Sequence, residues 1–159
     1  MALQMPAQEV AERTSAIVED HLASEGPLLP ILHDVQKDLG CVPEASLRII
    51  ADRLNLSRAD VHGVMTFYHD FREKPAGRHV LKICRAEACQ SMGGDELAEG
   101  VRKALGIDWH ETTPDGKVTL EPVFCLGLCS CAPAAMFDGE LHGRLDDEAM
   151  NEIVREAGR

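Results

Sequence analysis

Between Ala7 and Phe71, apolar residues recur at intervals of three and four, the pattern of helices that bury one face. Ala7 to Ser24 are good helix formers, and Gly26-Pro27 stops them. Leu28, Ile31, Leu32, Val35 and Leu39 mark a second helix, with Gly40 where a C-terminal cap belongs. Pro43 can open a third, facing inward with Leu47, Ile50, Ala51 and Leu54. Ser57 is placed to cap a fourth, whose face is Val61, Val64, Met65 and Tyr68. The spacing predicts a small bundle of four helices, assigned to residues 1–74.

The period changes after Arg72–Arg78, a charged segment that carries Pro and Gly. His79–Cys84 reads as a strand, and Gly94–Leu105 as a helix with Leu97, Val101 and Leu105 on one side. Thr112–Gly116 is a hairpin-type turn leading into a strand over Val118–Phe124. Ala134–Phe137 and Glu140–Leu145 read as a hairpin around Asp138-Gly139. A last helix follows Asp146, aligning Met150, Ile153, Val154 and Ala157. Residues 75–159 are therefore expected to form a small mixed sheet flanked by helices, which makes the whole chain α+β.

Composition narrows the function classes. With 16 Lys and Arg against 27 Asp and Glu, the formal charge is −11. Nucleic acid and anionic membrane surfaces both call for a basic footprint that this chain lacks. The longest uncharged stretch, Pro122–Phe137, is interrupted by Pro, Gly and Cys and is too short to span a bilayer. Glu9, Glu12, Arg13, Glu19 and Asp20 precede any long apolar run, so no secretory leader and a cytoplasmic location are expected.

In that setting disulfides are rare, yet there are six cysteines. Cys84 and Cys89 form a C-x4-C pair, and Cys125 and Cys129 a C-x3-C pair. Each pair is expected in a loop directly after a strand, so that two loops at one end of a sheet present four thiolates to one site. Four thiolates suit an iron–sulfur cluster or a structural zinc ion. Ala86, Ala88, Ser91, Gly93, Gly94, Gly127 and Ser130 are small and let backbone N–H groups approach sulfur, which favours a cluster over zinc. Cys41 reads as a buried small hydrophobe. Cys131 reads as a non-ligand, with a redox role beside Cys129 as the alternative.

The seven histidines show no metal-ligand spacing, and no glycine-rich phosphate loop or nucleophile elbow occurs, so the chain has no nucleotide site of its own. Phe67, Tyr68 and Phe71 stand out in a chain only 4% aromatic. They either cap the helical core or anchor a partner.

Leu39–Pro43, Val61–Tyr68, the two cysteine pairs and Ala132-Pro133 together resemble a known family. It comprises the thioredoxin-like [2Fe-2S] ferredoxin subunits of NADH-linked complexes. Members are the 24-kDa-type subunit of NADH:quinone oxidoreductase, its counterpart in NAD-reducing hydrogenases, and the gamma subunit of NAD-dependent formate dehydrogenases. Cys125–Met136 with Asp138-Gly139 and His142-Gly143 is most similar to the formate dehydrogenase type. The resemblance implies a thioredoxin-like domain with one [2Fe-2S] cluster, Cys84 and Cys89 on one iron, and Cys125 and Cys129 on the other. Cys131 lies outside that ligand set. The resemblance also implies a flavoprotein partner subunit that carries FMN and NAD(H), further iron–sulfur or molybdenum-containing subunits, and single-electron exchange with the flavin. The isolated chain is not expected to be catalytic.

Overall fold

The structure is a computed structural model and describes residues 5–158. Two compact units divide after Pro75. In the first, α1 (Ala7–His21), α2 (Leu28–Leu39), α3 (Glu44–Leu54) and α4 (Arg58–Phe67) follow one another through short turns. Val18, Ile31, Leu32, Val35, Leu47, Ile50, Val61 and Met65 form the buried core, closed by Phe71. Gly40 ends α2 in the left-handed conformation (φ 78°), where a side chain would be strained, and donates its N–H to Gln36. Ser57 caps α4 in a reciprocal box: its Oγ accepts the Asp60 N–H, and Asp60 accepts the Ser57 N–H.

The bundle departs from the sequence reading in two places. The first helix stops at His21, three residues early, as the chain turns through a Ser24 N–H bond to the His21 carbonyl. Tyr68, expected on the inner face of α4, is exposed because the chain leaves the helix there in extended conformation. Thr14 and Ser46 meet in the core through a 2.8 Å hydroxyl–hydroxyl hydrogen bond, which satisfies two polar groups that hydrophobic patterning does not anticipate.

In the second unit, β1 (His79–Cys84), β2 (Val118–Val123), β3 (Ala134–Phe137) and β4 (Glu140–Gly143) form one sheet in the order β2-β1-β3-β4. β1 and β2 run parallel, from His79 opposite Val118 to Cys84 opposite Val123. β3 is antiparallel to β1, and β4 to β3. Between β1 and β2 lie a one-turn helix, α5 (Glu87–Ser91), and α6 (Gly94–Leu105); α7 (Asp147–Ala157) ends the chain, capped by the Asp146 carboxylate. Leu81, Ile83, Val118, Leu120, Ala135 and Phe137 on one sheet face pack with Leu97 and Val101 of α6 and Met150 and Ile153 of α7. The expected strand 140–145 ends at Gly143 because Arg144 adopts a left-handed φ of 54° and donates its N–H to Cys131. No described helix is long and apolar enough to cross a membrane.

Candidate metal centre

The parallel pairing of β1 and β2 brings both cysteine pairs to one sheet end. Cys84 is the last residue of β1, and Cys125 follows β2 by one residue, Phe124. The Arg85 N–H continues the ladder past the strands, bonding the Val123 carbonyl at 2.8 Å. Three of the four expected ligands are not on open loops, Cys84 because it closes β1. Cys89 sits in α5, and Cys129 opens a 3-10 turn over Cys129–Cys131. Five and three residues are too few to show helical periodicity in a sequence.

Close packing fixes the second thiol of the first pair. A Cβ on Gly94 would lie 2.6 Å from the Cys89 carbonyl oxygen, so the start of α6 rests directly on α5. Cys84, Cys89 and Ala134 form a small buried cluster covered by Leu126 and Leu128, from within the second pair, and by Ala86, Val123 and Ala132. The two loops thus share one apolar cradle. Cys125 and Cys129 are exposed, with their Sγ atoms 3.6 Å apart, and the Gly127 N–H points at the Cys125 sulfur at 3.4 Å. Cys125 holds a φ of 92°, rare for a residue with a Cβ and of the kind that clusters at functional sites.

The electrostatics of the thiols follow from these neighbours. Burial pushes the Cys84 thiol up, but the backbone N–H groups of Ala86, Cys125 and Leu126 and the Cys89 thiol outweigh it and leave Cys84 more acidic than usual. Cys89 is pushed up by burial and by Cys84, only partly offset by the Ala134 N–H. Cys129 is held up by its hydrogen bond to Cys125 and by that neighbour's charge. Backbone donors from both loops therefore converge on sulfur, an arrangement suited to thiolates in an iron–sulfur site. Among the described residues, no group of three or more His, Cys, Asp or Glu side chains is placed to hold a metal ion. The four thiols stand as two pairs.

The remaining cysteines lie apart. Cys41 is buried in the helical unit, and burial raises its pKa. Cys131 ends the 3-10 turn, half-buried, 3.9 Å from the Ser130 hydroxyl. His79, at the other end of β1 from Cys84, pairs with Asp138 at 2.6 Å, and His21 of α1 pairs with Asp34 at 2.7 Å. Phe67, Tyr68 and Phe71 divide between the two readings: Phe71 belongs to the core, whereas Phe67 is 75% exposed.

The sequence model of the thioredoxin-like [2Fe-2S] ferredoxins matches residues 14–158, spanning both units. The chain belongs to this family. Family members carry a [2Fe-2S] cluster, and the paired thiols with their N–H donors fit one. A subunit of the NADH-quinone oxidoreductase of Escherichia coli is 37% identical over 147 residues, 92% of this chain and 87% of that protein. Its namesake from Pseudomonas aeruginosa is 38% identical over 120 residues, 76% and 72% of the two chains. An air-oxidised NAD+-reducing [NiFe]-hydrogenase shares the fold with a TM-score of 0.70 at 22% identity, over 82% of this chain and 22% of that one.

Proposed function

We propose that this chain is the one-electron carrier subunit of an NADH-linked oxidoreductase complex. The observation that carries the reading is the delivery of two thiol pairs to one sheet end, with backbone N–H groups aimed at sulfur. Cys84 and Cys89 would hold one iron, and Cys125 and Cys129 the other. A [2Fe-2S] cluster bound there gives and takes single electrons. The chain's part is to supply four thiolates, to hold N–H donors against them, and to cover the Cys84/Cys89 side with apolar groups. Two pairs suit two irons better than the single tetrahedral point of a structural zinc ion.

The match to the NADH-quinone oxidoreductase subunits, over most of both chains, supports a partner that binds NADH and FMN, with other iron–sulfur subunits beyond it. Phe124 beside Cys125 and Met92 just past α5 are 72% and 61% exposed, apolar groups suited to burial against such a partner. Between parent complexes, these relatives favour the NADH:quinone oxidoreductase type. Cys125–Met136 with His142-Gly143 is the feature that favours the formate dehydrogenase gamma type, whose further subunits would include a molybdenum enzyme. In both readings the chain works in the cytoplasm, bound to its complex.

The test is iron, zinc and acid-labile sulfide per chain on anaerobically purified protein, with visible spectra before and after dithionite. The expected outcome is about two irons and two sulfides, with colour that bleaches on reduction. One zinc and no colour would leave only a structural module. Adding NADH with purified flavoprotein subunits of either complex, and following the bleaching, then separates the two parents.

A further inference from the structure

Arg85 follows the first thiol directly, and its side chain is tied down on both sides. Its Nε donates to the Asp95 carboxylate at 3.0 Å, and its guanidinium carbon lies 5.3 Å from the centre of the Trp109 ring. Asp95 stands in the first turn of α6, next to the Gly94 that abuts Cys89. Trp109 packs on the sheet core and meets a second guanidinium, that of Arg102, at 6.0 Å. Arg102 is itself anchored by Glu99 and Asp108, each at 2.8 Å. The Arg85–Asp95 pair therefore joins the residue after Cys84 to the helix that seats Cys89.

We propose that Arg85 is a positioning residue for the Cys84/Cys89 half of the centre: with Asp95 and Trp109 it clamps the end of β1 to the start of α6, fixing the spacing of the two thiols, and it sets a fixed positive charge beside the cluster. This rests on the ligand reading above. An exposed ion pair adds little stability by itself, and this one is 29% and 50% exposed, so its effect lies in placement and field. The sulfur-ligated centre is negatively charged and gains a further negative charge on reduction, so a nearby cation favours the reduced form and a nearby carboxylate opposes it.

The two partners thus predict opposite electrostatic and identical mechanical effects. In the full chain, Arg85→Gln leaves Asp95 uncompensated and should lower the midpoint potential; Asp95→Asn leaves Arg85 uncompensated and should raise it. Each shift is expected at about threefold in the one-electron equilibrium constant, roughly 28 mV at 59 mV per tenfold. Both variants should lose iron to a chelator several-fold faster than the natural chain, because both break the clamp. Arg85→Lys should keep the potential. Redox titration followed by electron paramagnetic resonance, chelator release followed by absorbance, and a circular dichroism check of folding supply the readouts. Shifts of the same sign, or release rates equal to the natural chain, overturn the inference while the loaded natural chain keeps the ligand reading. A natural chain without iron and sulfide overturns both.

Discussion

Gly94 has no room for a side chain. The methyl group of Gly94→Ala would press on the Cys89 carbonyl oxygen and carbon, both backbone atoms that move only if α5 or α6 moves. Overpacking of this kind costs about 1–3 kcal/mol, so the denaturation midpoint of the second unit should fall and iron content with it. The cysteines separate by substitution: Cys129→Ser should lose most of the iron measured per chain, and Cys131→Ser should retain it. Cys41 gives a pH test. Its raised pKa means that the folded unit prefers the neutral thiol, so its contribution to stability is complete below the ordinary thiol pKa and is lost as pH rises through the folded value. Melting temperatures of the natural chain should therefore fall across that alkaline window more steeply than those of Cys41→Ala.

Among the elements, α4 depends on its cap. Removing the Ser57 hydroxyl opens the reciprocal box with Asp60, and Ser57→Ala should cost about 1 kcal/mol in denaturant unfolding, whereas Ser57→Gly should cost a few tenths. Helices with long amphipathic faces were legible in the sequence: α2, α3 and α6 begin and end where Leu28–Leu39, the Pro43 start and Gly94–Leu105 indicated. So were β1 and the turn at Asp138-Gly139. What stayed hidden was shorter than one period or set by distant partners. α5 is five residues long, the Thr14–Ser46 bond joins α1 to α3, and the parallel pairing of β1 with β2 is not written in the turn that precedes β2. The two cysteine pairs were legible by spacing. That Cys89 rides on a helix and that Arg85 reaches Asp95 were not, since no pattern within Cys84–Cys89 points to α6.

At the scale of the whole molecule, the chain carries a net charge of −11, to which the four thiolates of the proposed centre would add. A flavoprotein surface facing it should be locally basic, and association should slow and weaken several-fold as salt shortens the screening length from about 10 Å at 0.1 M to about 3 Å at 1 M. Surface plasmon resonance across a salt series measures this directly, and an affinity independent of salt would point to apolar contacts such as Phe124 alone. The β1–β2 register also bears on how the protein is born. The helical unit closes through neighbours in sequence and can form as soon as it leaves the ribosome. The sheet cannot: β1 waits for β2 across the whole of α5 and α6, a high-contact-order step that is intrinsically slow. During synthesis Cys84 and Cys89 emerge with no second pair to meet, so a nascent chain arrested before Cys125 offers two thiols to scavenging metals and oxidants. On the proposed ligand set, a cluster shared by both pairs can be completed only after translation has passed Cys129, as a late event in maturation.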